Sequence, residues 1–470
     1  MATTSLGTPA GEREPKTSWL ERIGLHRPEL RAWAMYDWAN SAMVTTVRAT
    51  VFPTFFAAVA MAGYAEGVAM QRYGIINSTG LILAALLSPI LGTISDYAGN
   101  KKRMLGGFMG LGIAAVACMF FIQHGQWLFA ALLFILANIG AASSFVFYDA
   151  LLPHVAREDE MDRVSTAGYA LGYLGGGILL AINLAWIVRP DLFGLPSGPG
   201  LSPREATLPA RLALLSVAVW WLLFSIPLFR RIPEPPRKLE PGERRRESPV
   251  RASIVRIRQT ISELRHYKQA FLMLIAFLIY GDGIGTIIGM AAIYGAEIGL
   301  PAAAMMGAIL ITQFVGVPFG FLFGMLAGRI GAKRSIFLGL IVYTFISIFA
   351  YFMTTATEFL ILAVMVGMVQ GGTQALSRSL FASMVPRHKS GEFFGFFGVI
   401  ERFSGSMGPL LIAAIVATTG AARFGIPSVI IFFIVGGILF YFVDVEEGQS
   451  AARAAEVRAR EVAAAQPVEG

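Results

Sequence analysis

Apolar runs separated by short polar or charged breaks occupy most of the chain. Several of them exceed the ~20 residues that a helix needs to cross the hydrocarbon core of a bilayer. Twelve runs are marked out, at 33–61, 72–94, 104–123, 127–148, 164–188, 209–229, 268–296, 303–327, 335–354, 357–377, 392–419 and 426–444. The pattern predicts an all-α integral membrane protein with twelve transmembrane helices. The first twenty residues are polar, with Arg13, Glu14 and Lys16 and no apolar centre, so no cleaved signal peptide is expected and the first span itself directs insertion.

The pattern also repeats. A run ending in Gly92-Thr-Ile-Ser-Asp96-Tyr-Ala-Gly99-Asn-Lys101-Lys102-Arg103 is matched by Gly324-Met-Leu-Ala-Gly328-Arg329-Ile-Gly331-Ala-Lys333-Arg334 at an offset of 232 residues. Pro153, Gly172 and Gly175 are matched by Pro386, Gly405 and Gly408 one residue further out of register. Two like-oriented six-helix halves are therefore expected, residues 31–229 and 268–444. A segment at 1–30, a basic linker at 230–267 and a tail at 445–470 complete the expected organisation. That is the arrangement of a secondary transporter, whose solute binds between the halves near the bilayer midplane.

Composition agrees, with 55% hydrophobic and 14% charged residues. With the N-terminus inside, 31 of the 38 Lys and Arg residues fall in inside segments, Arg378 being counted at the inner end of span ten. Arg72, Arg189, Arg204, Arg211 and Arg423 are left outside, and Arg48 and Arg402 lie within spans. Both termini are expected in the cytoplasm, of a bacterial inner membrane, and the net charge of +8 is read as a topology signal, with no nucleic-acid partner. In the linker, Arg244-Arg245-Arg246 reads as a solvated positive-inside stretch, with contact to anionic lipid headgroups as the alternative.

Enzyme chemistry is not expected. Cys118 is the single cysteine, and the five histidines show no ligand spacing, so no metal or cofactor is anticipated. Gly175-Gly176-Gly177 and Gly281-Asp282-Gly283-Ile284-Gly285 lie inside apolar runs, without the strand and loop of a phosphate cradle. Gradients would drive transport. Gly168, Gly172 and Gly176 in span five, and Gly316, Gly320, Gly324 and Gly328 in span eight, recur every four residues. Each set makes one smooth helix face, where the two halves are expected either to slide or simply to pack against each other.

Charges inside the spans are the sharper signal, since each costs ~2.5–3.5 kcal/mol at a helix centre unless paired or wet. Arg48, Asp282, Glu401 and Arg402 lie deep, and Asp37 shares a face with Asn40 nearer the inner end. Helical rise puts Arg48 and Asp282 at similar depth in equivalent helices, where they could face one another across a central cavity unless the helix faces are rotated away. These residues are expected to line a solute or proton path, with structural interhelical pairing as the alternative.

The stretch Tyr36-Asp37-Trp38-Ala39-Asn40-Ser41-Ala42, leading to Phe52-Pro53, resembles the first helix of the vacuole-effluxer-like transporters of the major facilitator superfamily. Ser88-Pro89-Ile90-Leu91-Gly92, Gln374-Ala375-Leu376-Ser377-Arg378-Ser379-Leu380 and Glu392-Phe393-Phe394-Gly395 resemble later blocks of that family. The resemblance implies twelve helices, alternating access and solute export, with amino-acid efflux the activity attributed to the vacuolar members. It places Asp96 beside the start of span eleven, as a gate with Lys101 and Lys102, while Arg329, Lys333 and Arg334 form the second turn, in which Gly328 replaces the acid. In span seven the family's Asn-Asp-Gly-x-Gln-Thr is Gly281-Asp282-Gly283-Ile284-Gly285-Thr286 here, and in span eleven its Gly-Lys is Glu401-Arg402. The expected function is a monomeric transporter of a small solute, with protons as a candidate coupling ion and lipids as surroundings. An exporter or flippase of lipid-like compounds and a membrane receptor or sensor stand as alternatives.

Overall fold

The computed structural model describes residues 18–64, 68–236, 267–297, 300, 302–405, 407–419 and 425–465. Most of the linker, with its arginine run, lies outside the described residues, as do the first seventeen residues and the last five. No strand occurs among the described residues, and ten helices there are long and apolar enough to cross a membrane. They are span one (Pro28–Ala60), two (Val68–Ala98), three (Lys101–Phe121), four (Trp127–Val155), five (Met161–Val188) and six (Leu208–Arg231). The second half supplies spans seven (Lys268–Glu297), eight (Ala302–Ile330), nine (Ala332–Phe352) and ten (Ala356–Ser383). Span eleven is broken into Ser390–Phe403 and Met407–Thr419, and Ile426–Tyr441 is span twelve.

Most helices overrun their apolar stretches by a turn, because end turns lying beyond the hydrocarbon tolerate polar residues. Span one starts at Pro28, whose missing N–H costs nothing in a first turn. Over Met43–Val51 its hydrogen bonding widens to the looser π pattern, which often accompanies functional sites, and Arg48 lies in that stretch.

The halves meet chiefly through spans two with eleven and five with eight, with span ten also packed on span five and span eleven on span four. Glycine makes the first contact possible. A Cβ on Gly92 would fall 2.0 Å from the carbonyl oxygen of Gly391, and one on Gly395 would fall 2.7 Å from the backbone of Pro89. In the second contact Gly316, Gly320 and Gly324 face Tyr173, Ala170 and Thr166 of span five. The glycines of span five do not reciprocate. Cβ atoms on Gly168 and Gly172 would meet Asp37 and Ser41 of span one, and of the four-residue series Gly176 alone also approaches span eight, at Gln313, beside its neighbour Gly177, which meets Gln313 and Phe314. Spans five and eight thus present one glycine face between them, not two, because the span-five glycines make room for polar side chains of span one.

The ends of the two halves are fastened alike, by lysines one position out of register in the repeat. Lys102 donates to the carbonyls of Phe229 (3.2 Å) and Ile232 (2.7 Å) at the end of span six. Lys333 donates to those of Tyr441 (2.8 Å) and Val443 (2.7 Å) at the end of span twelve. Each lysine satisfies carbonyls that the end of a helix leaves open. The tail forms a helix, Val445–Ala465, turned 59° from span twelve and anchored by Gln269, which accepts from the Asp444 amide at 2.9 Å and donates to Glu447 at 2.5 Å. We refer to the end of the bundle bearing this helix and the start of span one as the basic face.

Gly324 and Gly328 provide a matched test. A Cβ at Gly324 would lie 2.1 Å from Thr166 Oγ1, whereas Gly328 has nothing within 4 Å. Gly324→Leu should lower stability in detergent by ~1–3 kcal/mol through overpacking, and Gly328→Leu should leave the thermal midpoint near wild type. Equal midpoints for the two variants would refute this packing.

Candidate functional site

Near the basic face one guanidinium joins the two halves. Arg378, on span ten, is buried with 2% of its side chain accessible, and donates to Asp149 Oδ1 on span four at 3.0 Å and to Asp37 Oδ2 on span one at 3.4 Å. Its Nε reaches Ser165 Oγ at 2.9 Å and its Nη2 the Ser165 carbonyl at 3.0 Å, both on span five. Ser165 returns a hydrogen bond to the Ala375 carbonyl on span ten at 2.7 Å. Trp33, Tyr148 and Tyr169 surround the guanidinium with ring centroids 4.6–5.6 Å away, and Tyr148 donates its hydroxyl to Asp37 at 3.1 Å. A planar cation stacked on aromatic faces and donating to two carboxylates uses properties that lysine lacks.

A second contact between the halves lies beside it. Asp96, at the end of span two, is paired with Lys101 and accepts from the amides of Gly391 (3.1 Å) and Glu392 (2.8 Å), in the first turn of span eleven. Those amides have no intrahelical acceptor, so an anion there is stabilised by hydrogen bonds and by the helix dipole. The close approach at Gly92 and Gly395 brings the carboxylate within reach. Ser390 adds a bond to the Ala150 carbonyl on span four at 2.9 Å. Lys102 is committed to span six and Lys333 to span twelve, while Arg329 and Arg334 are exposed. The two basic turns therefore differ: only the first bears on the opposite half through a carboxylate.

Deeper in the bundle, the structure does not bring Arg48 and Asp282 together. Asp282 is fully buried and accepts from the amides of Gly405 (2.8 Å), Met407 (2.9 Å) and Gly408 (2.6 Å). Span eleven breaks at Ser404 and Gly405, with Gly405 at φ +87°, and Asp282 caps the segment that restarts there. Matching depth from helical rise fixes no rotation, and the amides freed by the break claim the carboxylate instead. The glycines that replace the family's amides have the same cause. A Cβ at Gly281 would press on Ser404 Oγ at 2.7 Å, and one at Gly285 on Gly405 Cα at 2.9 Å, so these positions face the break rather than a solute.

Arg402 is likewise committed, donating to the Gly398 carbonyl on its own span and to the Ala142 carbonyl on span four. Asn40 is buried beside Tyr36 in the first half. What remains open is Arg48 with Glu401. Arg48 makes no ion pair within 4 Å among the described residues, and its electrostatic neighbours are Tyr73 and Glu401. Glu401 is exposed, yet it interacts electrostatically with Arg402, Arg378, Asp37 and Arg48, and is felt by Asp149 on span four and Tyr169 on span five. Neighbours on so many spans place its exposed side chain in the centre of the bundle and not against lipid.

Comparison with known proteins fits this architecture. The profile described as "Vacuole effluxer Atg22 like" matches residues 73–453. The chain belongs to that family. It is 38% identical over 419 residues to the uncharacterized MFS-type transporter YxiO of Bacillus subtilis, covering 88% of this chain and 94% of YxiO. It is 28% identical over 320 residues to autophagy-related protein 22 of Yarrowia lipolytica, covering 62% of this chain and 51% of the fungal protein. Among solved structures, the proton:xylose symporter XylE bound to 6-bromo-6-deoxy-D-glucose matches with a TM-score of 0.66 at 14% identity, over 93% of this chain and 99% of XylE. FucP in its outward conformation matches with a TM-score of 0.60 at 12% identity, over 90% of this chain and 99% of FucP. The fold is that of the major facilitator superfamily, with twelve helices as the apolar pattern predicts.

Two charged residues of this site carry no assigned role in the sequence pattern. Arg378 counted only as a topology charge, and Asp149 was not singled out at all. The signal for Arg378 lay in the family block Gln374–Leu380, which contains it.

The geometry predicts opposite outcomes for two double-mutant cycles. Arg48→Ala and Asp282→Asn should add within ~0.3–0.5 kcal/mol in stability, because they share no partner, whereas Asp149→Asn and Arg378→Gln should couple by ~0.5–3 kcal/mol. Denaturation in detergent measures both cycles, and coupling in the first cycle with additivity in the second would contradict the arrangement.

Proposed function

We propose that this chain is a secondary transporter of the cytoplasmic membrane that moves a small zwitterionic solute of the amino-acid class by alternating access, in the direction of export. On this reading both chain ends and the linker are cytoplasmic and the basic face is the cytoplasmic gate. The observation that carries the proposal is the uncommitted pair at the centre of the bundle. Arg48 offers a cation with no ion pair among the described residues and Glu401 an accessible anion, each sensing the other.

A solute carboxylate suits the first and a solute ammonium the second, through charge-assisted hydrogen bonds at opposite ends of one small molecule. Opposite charges in a shared cavity favour a polar zwitterion over a purely apolar cargo. The word effluxer in the family description supports the direction. Arg378 and Asp96 hold the basic face shut around the cavity floor, so loading of solute from the cytoplasmic side requires both to part.

Two measurements test the proposal. In proteoliposomes offered a panel of neutral amino acids and lysophospholipids, at least one amino acid should be transported. Arg48→Gln and Glu401→Gln should each reduce its flux ten- to a hundredfold, the effect of losing a charge-assisted contact of ~1.5–3 kcal/mol. Transport of lysophospholipids alone would favour a lipid exporter. On a Cys118→Ser background, Asp96→Asn should raise labelling of Ser379→Cys, a buried position between the halves at the basic face. Unchanged labelling with full transport would show that Asp96 does not hold the gate.

A further inference from the structure

Asp37, Asp149 and Arg378 form a buried site in which two carboxylates share one guanidinium. Side-chain accessibility is 6% at Asp37, 7% at Asp149 and 2% at Arg378. With both acids ionised, the triad carries one uncompensated negative charge in a place that water scarcely reaches. A buried charge without a partner is the arrangement that most strongly recruits a counter-charge, and two neighbouring carboxylates seldom stay ionised together.

The two acids are not equivalent. Asp37 accepts from Tyr148 as well as Arg378, while Arg378 is the one side-chain donor to Asp149 among the described residues. The other charges around Asp149 do not neutralise it. Span one presents Asp37, span ten Arg378, span five the hydroxyl of Tyr169, and span eleven Glu401 together with Arg402. Of the last two, Arg402 is engaged with backbone carbonyls. Spans two and three, which also pack on span four, carry their charged residues near their ends, at Arg72, Asp96, Lys101, Lys102 and Arg103.

We propose that Asp149 is a proton-binding site whose occupancy unlocks the basic face. A proton added to its carboxylate gives a neutral acid, leaves Arg378 and Asp37 as a balanced one-to-one pair, and removes the shortest ionic contact that Arg378 makes between the halves. The guanidinium then has only Asp37 and Ser165 holding it to the first half, and spans four and ten are freer to part. This rests on the transporter reading and adds its coupling step. A proton taken up at Asp149 from the far side favours opening toward the basic face, where it is lost again, so proton entry can be exchanged for solute exit. Arg48 and Glu401 stay free for the solute, separating the proton site from the solute site.

The test requires no solute. Spin labels at Asp159→Cys and Arg387→Cys, on a Cys118→Ser background, straddle the two halves at the basic face, where both positions are exposed. Pulsed electron paramagnetic resonance on the full chain in nanodiscs should show a population with longer distances growing as the pH falls. In Asp149→Asn the distance distribution should no longer respond to pH, and in Asp149→Glu the response should return with a displaced midpoint. A distribution in the labelled parent that ignores pH overturns the proposal, as does an Asp149→Asn response equal to that of the parent. Should Asp149→Asn fail to fold, an unshifted midpoint in Asp149→Glu overturns it equally. Because the readout involves no transported molecule, a missing pH response alongside intact amino-acid flux would refute the proton site alone. A normal pH response with no flux for any amino acid would refute the solute assignment alone.

Discussion

The arrangement of the two halves depends on a cation buried where it can be stable only if both halves are present. Arg378 comes from span ten, and its partners Asp37, Asp149 and Ser165 come from spans one, four and five. Removing a guanidinium from water costs far more than one hydrogen bond returns, so the cost is offset only when all of these groups converge. The closed state therefore fixes span ten against the first half with little tolerance, and the aromatic rings of Trp33, Tyr148 and Tyr169 keep competing water away. The glycines of span five fit the same requirement, since any side chain at Gly168 would strike both Asp37 and Arg378.

This dependence sorts the charges in the membrane into two groups. Asp96, Asp282, Arg378 and Arg402 are each satisfied by several specific partners and act as fasteners. Arg48 and Glu401 have no ion pair within 4 Å among the described residues. Rarity within an apolar helix does not separate the groups, because the cost of burial is the same for a fastener and for a ligand-binding charge. Only the partners separate them, and partners are a property of three-dimensional packing.

The sequence was accordingly informative about one level and silent about another. Apolar run length located the spans because the bilayer imposes a length, and the repeated turn revealed two halves because its glycines and basic pair recur at one fixed offset. The four-residue glycine spacing of span eight located a helix contact correctly. The similar spacing in span five suggested the wrong neighbour, since spacing defines a face but not what that face meets. Asp282 was misplaced for a related reason. The break at Ser404–Gly405 interrupts a run that reads as continuous, and nothing in its hydropathy announces the free amides that capture the carboxylate. Asp149, one acid near the end of a long apolar run, carried no local mark of its role, because its significance arises from a residue more than two hundred positions away.

The broken helix has a mechanical consequence. The segment Ser390–Phe403 is bound to the first half through Asp96, Ala142 and Ala150, although it belongs to the second half by sequence. The segment Met407–Thr419 is bound to the second half through Asp282. One membrane crossing is thus shared between the two halves. Its few-residue joint lies beside Glu401, so bending there turns relative displacement of the halves into torque on that residue.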